Sequence, residues 1–389
     1  MNRREFLITT SGALVGLTLS SSVGCGRREQ GVPSSGPAKT AFPLLEVSGS
    51  PYEVGLAIGR RFEAQIREGL RRRADWFSEL RGFMEEDPAS RYEPFVAAAR
   101  EHFPEILEEL RGWSDGSGLA FEELVVLNLK AELATLMRSE APETPGCSTI
   151  AFSHAGRCLL AHNEDGHAAY SDLMFLVRVS RPDRPGFLCL TYPGILCGNG
   201  PAMNEAGIVL TTNYIGGLDV RRGIPRYVVS RAVLDAGSLD EAVAIVTHPE
   251  RAFSFHYNLG SRAEGKILSV ETSVDAAEVH EVDGLYVHTN HFRLPGMERI
   301  RQDEEYVATS SMSRYEVLTT AAEGLRNRLD EVDGGTLTGL LSSHDRAPYS
   351  PCRHPTVDVT GATLGSTLFD IGKGGLRLYH SNPCHGTFT

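Results

Sequence analysis

Cys147 stands behind Pro145 and Gly146 at the head of an apolar, β-branched run, "PGCSTIAFS" (145–153). An ordinary thiol titrates at about 8.5 and an α-amine at about 7.7–8.0, so a cysteine that becomes a chain terminus carries its own base. One residue then supplies nucleophile and proton acceptor. Such a terminus can be self-made: Sγ attacks the Gly146 carbonyl, the acyl group shifts from nitrogen to sulfur, and water cleaves the thioester. Gly146, which lacks a Cβ, suits the tight backbone that this attack needs. A cysteine in such a setting is also a common core residue, so the thiol alone decides nothing. Three further stretches put hydrogen-bonding side chains at strand ends in apolar surroundings: "HNED" (162–165), "TTNY" (211–214) and "HTNHF" (288–292). "PCRHP" (351–355) adds an arginine in a late loop.

The elements that must carry these residues fall into two parts. From 50 to about 137 the pattern is helical. Ser50, Pro51 and Glu53 make a capping box with a proline start, and Val54, Ile58, Phe62, Ile66 and Leu70 recur four apart. Phe103, Ile106, Leu107 and Leu110 form a second stripe, and 120–137 a third after a turn predicted at "SDGSG" (114–118). From Cys147 the period changes to that of short strands at 147–153, 157–165, 173–180, 187–194 and 207–215. Two helices follow at 226–237 and 239–248, then strands at 253–261, 266–273, 277–282 and 284–292, helices within 303–342 and a last strand pair. Strands and helices in separate runs predict an α+β fold with a largely antiparallel sheet. On alternation, Asn163 and Asp165 share one face of their strand, and His162 and Glu164 the other.

Taken together, these segments resemble the penicillin acyltransferase family of self-processing N-terminal nucleophile hydrolases, from about residue 46 to the C-terminus. "GSPYEVGLAIGRRF" (49–62) is similar to that family's opening helix and "PGCSTIAF" (145–152) to its processing site. The resemblance implies an αββα sandwich of two mostly antiparallel sheets flanked by helices, cut between Gly146 and Cys147. It further implies Asp165 as the carboxylate near the nucleophile, Asn213 as the oxyanion donor, Asn290 as a second active-site amide and Arg353 as the active-site arginine. No cofactor is implied. Glu164 departs from the family, which often has an aromatic residue there. Chain organisation then reads as a helical leading segment, 42–146, and a strand-rich trailing segment, 147–389, associated after cleavage because the leading stripes need covering.

"NRREFL" followed by a short apolar run ending at Cys25 resembles a twin-arginine export signal, with Cys25 offering a lipid anchor point; an uncleaved anchor is the alternative. Residues 26–41 read as a flexible linker. Export to a periplasm or membrane surface would separate the enzyme from acyl-CoA and favour water as the acceptor. A net charge of −12 without a basic stripe argues against nucleic acid. The six cysteines after Cys25 are widely spaced, with no Cys-x-x-Cys, so no disulfide or zinc framework is read from spacing. The expected substrate is the acyl amide of a small molecule or of a capped peptide, hydrolysed through a thioester acyl-enzyme, with acyl transfer as the second outcome. Two rivals remain: a non-catalytic binding protein on the same fold, and a metallo-amidase recruiting His167, His288 and His291, which lacks any H-x-x-x-H or H-E-x-x-H spacing.

Overall fold

A computed structural model of the chain describes residues 41–137 and 146–386. The export-signal reading, Cys25 and the linker up to residue 40 lie outside them. The leading part forms strand β1 (Leu44–Ser48) and helices α1 (Pro51–Arg61), α2 (Glu63–Arg72), α3 (Ala74–Glu86), α4 (Pro88–Arg91), α5 (Glu93–His102), α6 (Pro104–Ser117), α7 (Phe121–Asn128) and α8 (Lys130–Met137). The trailing part opens with strands β2 (Ser148–His154), β3 (Arg157–His167), β4 (Phe175–Ser180), β5 (Phe187–Thr191), β6 (Ala202–Asn204) and β7 (Ile208–Tyr214). Helices α9 (Arg226–Val233) and α10 (Leu239–Val246) precede β8 (Phe255–Ser261), β9 (Lys266–Thr272), β10 (Ala277–Glu281) and β11 (Gly284–His288). Helices α11 (Glu304–Tyr306), α12 (Met312–Glu323) and α13 (Gly334–Leu341) and strands β12 (Gly361–Asp370) and β13 (Gly375–His380) complete it.

The strands build an eight-stranded sheet, β1-β4-β5-β6-β7-β8-β9-β10, and a five-stranded sheet, β11-β2-β3-β12-β13. Among the named strands of the described residues, the β1–β4 pairing alone is parallel. Alternation along β3 explains the layering. Cys158 and Leu160 pack toward Leu188, Met203, Val209 and Ile267 of the larger sheet, while Leu159 and Ala161 pack toward Leu318 and Ala322 of α12 and Leu337 and Leu341 of α13. The outer face of the larger sheet, with Phe175, Val177 and Cys189, is covered by Val54, Ile58 and Trp113 from α1 and α6. This is the expected αββα sandwich: every sheet face of a two-sheet domain needs an apolar cover.

The capping box at Ser50 forms as the sequence dictates, with Ser50 Oγ accepting from Glu53 N and the Glu53 carboxylate accepting from Ser50 N. Three expectations need correction. The stretch 114–118 is not a turn but the last turn of α6, stopped by Gly118 in the left-handed region at φ 66°. Gly116 within it serves packing: a Cβ there would lie 2.4 Å from Leu56 O of the facing helix α1, just as one on Gly112, a turn earlier, would lie 2.1 Å from Tyr52 O. The leading segment is not wholly helical either, since β1 joins the larger sheet beside β4. The strand predicted to reach Phe292 stops at His288, so Asn290 sits in a turn beyond the sheet edge.

The two parts share one core. Phe62 stacks on Phe175 with ring centroids 3.7 Å apart. Glu109 of α6 accepts from buried Arg231 Nε of α9 at 2.8 Å. Burial of two opposite charges is tolerated there because each meets its partner.

Candidate active site

Cys147, one residue ahead of β2, is buried and lines a pocket with Glu164, Asp165, Lys130, Tyr192 and Asn199. Its Sγ lies 3.9 Å from the Asp165 carbonyl, a weak contact. Burial, with the Glu164 and Asp165 carboxylates beside it, pushes the thiol well above its usual range. The folded chain therefore holds the sulfur as a protonated, weakly reactive thiol.

The backbone at the junction is clamped. Arg314, on the inner face of α12, donates from Nη1 to Cys147 O at 2.7 Å and Ser148 Oγ at 3.0 Å, and from Nη2 to Asn290 Oδ1 at 2.7 Å. Asn290 in turn donates from Nδ2 to Tyr214 O at 2.7 Å, and its N–H to Ser311 Oγ at 2.8 Å. Gly146 fits against these groups only as glycine: an added Cβ would lie 2.1 Å from Asn290 Oδ1, 2.3 Å from Tyr306 Oη and 2.5 Å from Arg314 Nη2. Close approach is thus the reason on view for this glycine. Ser311 closes a π-helical turn, Val307–Ser311, that joins α11 to α12 and brings Tyr306 and Arg314 to one point. The Tyr306 hydroxyl is buried without a partner among the described residues.

Asp165 faces the helical layer, as the alternation requires. Its Oδ1 accepts from Thr363 Oγ1 at 2.7 Å, and Thr363 Oγ1 also accepts from Arg353 N at 2.9 Å. The register of β12 shifts between Thr363 and Gly365, directly opposite this carboxylate, so a bulge aims Thr363 at it. Asp165 and Arg353 feel each other's charge but make no direct ion pair among the described residues; Thr363 is the physical link. Burial raises the Asp165 carboxyl to about 7 against the opposing pull of Arg353, Arg314 and the Thr363 hydrogen bond. The folded chain therefore keeps a proton that an unfolded aspartate, near about 3.9, releases, and this group's contribution to stability falls as pH rises from about 4 through about 7. In Thr363→Val the carboxyl loses a donor to its charged form. The acid limb of kcat/KM should move up by roughly one pH unit, read from the pH–rate profile, with the alkaline limb unchanged.

Across the strand, His162 and Glu164 face the inter-sheet space, and their ligand atoms lie within 4.8 Å of Cys147 Sγ and of each other. Thr149 Oγ1 donates to Asn213 Oδ1 at 2.9 Å, so the 2.8 Å contact with Thr149 requires His162 Nδ1 to be the donor. Nε2 meets Glu164 Oε2 at 3.2 Å, while Tyr192 donates to Glu164 Oε1 at 2.6 Å. The histidines weighed for a metal are elsewhere engaged: His288 Nε2 meets Glu271 at 2.9 Å, His291 Nδ1 meets Ser311 Oγ at 2.8 Å, and His167 Nδ1 accepts from Ala169 N at 3.1 Å.

Of the residues expected from sequence, Cys147 and Asp165 share the pocket wall, Asn290 abuts Gly146, and Arg353 reaches Asp165 through Thr363. Asn213 stands apart from the pocket wall. It lies between the sheets, where Oδ1 accepts from Thr149, from Asn258 Nδ2 at 3.2 Å and from His256 at 3.1 Å, leaving its buried Nδ2 without a partner. The sequence reading missed Arg314 and Tyr306. A signal for the first was present: Arg314, Leu318 and Ala322 lie four apart and are all buried, so the apolar stripe of α12 carries a charge at its start.

Residues 153–385 match the family described as acyl-coenzyme A:6-aminopenicillanic acid acyl-transferase. The match begins after Cys147, so the junction itself lies ahead of it. A beta-alanyl-dopamine/carcinine hydrolase of Drosophila melanogaster is 24% identical over 378 residues, covering 89% of this chain and 95% of the relative. The 40 kDa form of acyl-coenzyme A:6-aminopenicillanic-acid-acyltransferase of Emericella nidulans is 26% identical over 277 residues, covering 70% and 72% respectively.

Proposed function

Because the chain belongs to the acyl-coenzyme A:6-aminopenicillanic acid acyl-transferase family, we propose that it is an exported, self-activating N-terminal cysteine amidase that hydrolyses acyl amides bearing a carboxylate. The observation that carries this reading is the Gly146–Cys147 junction, clamped by Arg314 and Asn290 beside a pocket that the thiol lines.

Before cleavage the Cys147 nitrogen is an amide and cannot act as a base. The groups at hand to take the thiol proton are Asp165, titrating at about 7, and the His162–Glu164 pair. Sγ then attacks the Gly146 carbonyl, with the unpartnered Tyr306 hydroxyl available to the developing oxyanion. The N–S shift and hydrolysis free the Cys147 α-amine, which becomes the base for turnover, while ionised Asp165 orients it. Asn213 supports the second oxyanion: three donors fix its Oδ1, so its Nδ2 is preorganised as a donor. Its position between the sheets means the acyl carbonyl must enter past Thr149 to meet it.

The pocket's cations narrow the substrate. Lys130 has no ion pair or hydrogen bond among the described residues and sits over the Tyr192 and Tyr227 rings, each at 5.6 Å, with burial bringing it down to about 8. Arg226, walled by Tyr214, Tyr227 and Phe255, keeps Nε and Nη1 unpartnered. A half-buried Lys130 and a buried Arg226 beside aromatic rings suit a carboxylate on an otherwise apolar amide, as in an N-acyl amino acid. A relative named as a hydrolase and another named as an acyltransferase support both outcomes for the acyl-enzyme. Export, expected from residues 1–25, favours water. The test compares N-acyl amino acids with their decarboxylated amides. Lys130→Met should raise KM for the former roughly tenfold or more and leave the latter unchanged. Equal KM for both substrate series in the wild-type protein would reject carboxylate recognition.

A further inference from the structure

Away from the pocket, the segment after α13 and the C-terminal tail bring four ligand-type side chains together: His344, Cys352, His354 and Cys384, with all ligand atoms within 4.8 Å of one another. His354 Nε2 lies 3.2 Å from His344 Nε2, 3.7 Å from Cys352 Sγ and 3.5 Å from Cys384 Sγ. A single ring nitrogen has one proton or one lone pair to offer, so it cannot hydrogen-bond to three groups. Tetrahedral zinc gives another reason for these spacings. With Zn–N of about 2.05 Å and Zn–S of about 2.3 Å, the tetrahedron's edges are about 3.3 Å for N···N and about 3.6 Å for N···S. All three distances fall close to those edges. The surroundings suit a thiolate as well: Asn382 donates from Nδ2 to Cys352 Sγ at 3.3 Å and to Arg353 O at 2.7 Å, and Cys352 N–H donates to Ser343 O at 3.0 Å. An N–H aimed at the sulfur is the kind of outer contact that orients a metal-bound cysteine.

We propose that His344, Cys352, His354 and Cys384 form a structural Zn²⁺ site that pins the C-terminal tail to the loop carrying Arg353. Two thiols give up their protons to solvent on binding, so two thiolates neutralise the ion. Arg353 lies between two of the ligands in sequence and meets Thr363 through its own N–H, so the site braces the backbone that carries the arginine. Sequence spacing conceals the set because Cys384 follows His354 by thirty residues and only folding brings the tail back.

The test measures metal content in the full chain, purified without chelator, by plasma mass spectrometry, beside Cys384→Ser and His344→Ala. Both positions are exposed, and far-UV circular dichroism checks that the variants fold. About one zinc per wild-type chain and a tenfold or greater loss in each folded variant are expected. Co²⁺ added to the stripped chain should give the intense visible bands of tetrahedral thiolate coordination, absent in Cys384→Ser. Equal zinc in variants and wild type overturns the proposal. So does a reduced wild-type chain that takes up neither Zn²⁺ nor Co²⁺, or an intact mass short of two hydrogens with Cys352 and Cys384 joined as a disulfide.

Discussion

Purified wild-type protein should run as two fragments that travel together, the larger beginning at Cys147, and Cys147→Ala should run as one uncut chain. Intact mass and N-terminal sequencing read this directly. The expected effect is all-or-none because the sulfur is both the attacking atom of the cut and the later nucleophile. Alanine removes it with little change in packing, so folding should survive. Gly146→Ala separates the two demands of the junction: the thiol stays, but the new Cβ would press on Asn290 Oδ1 at 2.1 Å. It should slow the cut steeply while leaving the sulfur reactive toward small alkylating agents once the chain is denatured. Association of the fragments follows from the shared core, in which α1 and α6 cover the larger sheet and β1 pairs with β4. An uncut wild-type chain would leave Cys147 as a buried core thiol and favour the binding-protein reading.

Arg314→Met should cost about 10² in the rate of processing, the scale of misplacing the reacting groups, because Arg314 holds the Cys147 carbonyl and Asn290 beside the Gly146–Cys147 bond. Three contacts vanish together, to Cys147 O, Ser148 Oγ and Asn290 Oδ1, and each buried acceptor left without a donor costs about 1–3 kcal/mol. A purely structural arginine would give the same loss of thermal stability, so stability alone does not discriminate. The pH profile does. Arg314 also opposes the rise of the Asp165 carboxyl, and its removal should carry the acid limb of turnover upward along with that of Thr363→Val. Arg314→Lys keeps the charge but not the two-armed geometry; it should restore the acid limb without restoring the rate. An unshifted acid limb in Arg314→Met would confine the residue to packing.

How much of this was legible in the chain depends on the distance over which each determinant acts. The capping box at Ser50, the alternation through His162–Asp165 and the switch from helical to strand patterns at Cys147 are local, and the sequence read them because backbone period and side-chain facing are set within a few residues. The α+β class and the family followed from their order. Local reading misjudged 114–118, where glycines look like a turn until the facing helix explains them as contact points. The resemblance carried the oxyanion role onto Asn213, and the register of β7 against β8 adds what the sequence did not hold: its amide sits between the sheets with His256 and Asn258. The resemblance put Asp165 and Arg353 in one site; the fold places Thr363 between them at a β12 bulge. What Arg314 and Tyr306 meet, and the His344–Cys352–His354–Cys384 cluster, were beyond it for one reason. Each depends on residues far apart in the chain meeting at a point, and only tertiary packing, which buries a charge or gathers four ligand atoms within a few ångströms, decides which distant residues meet.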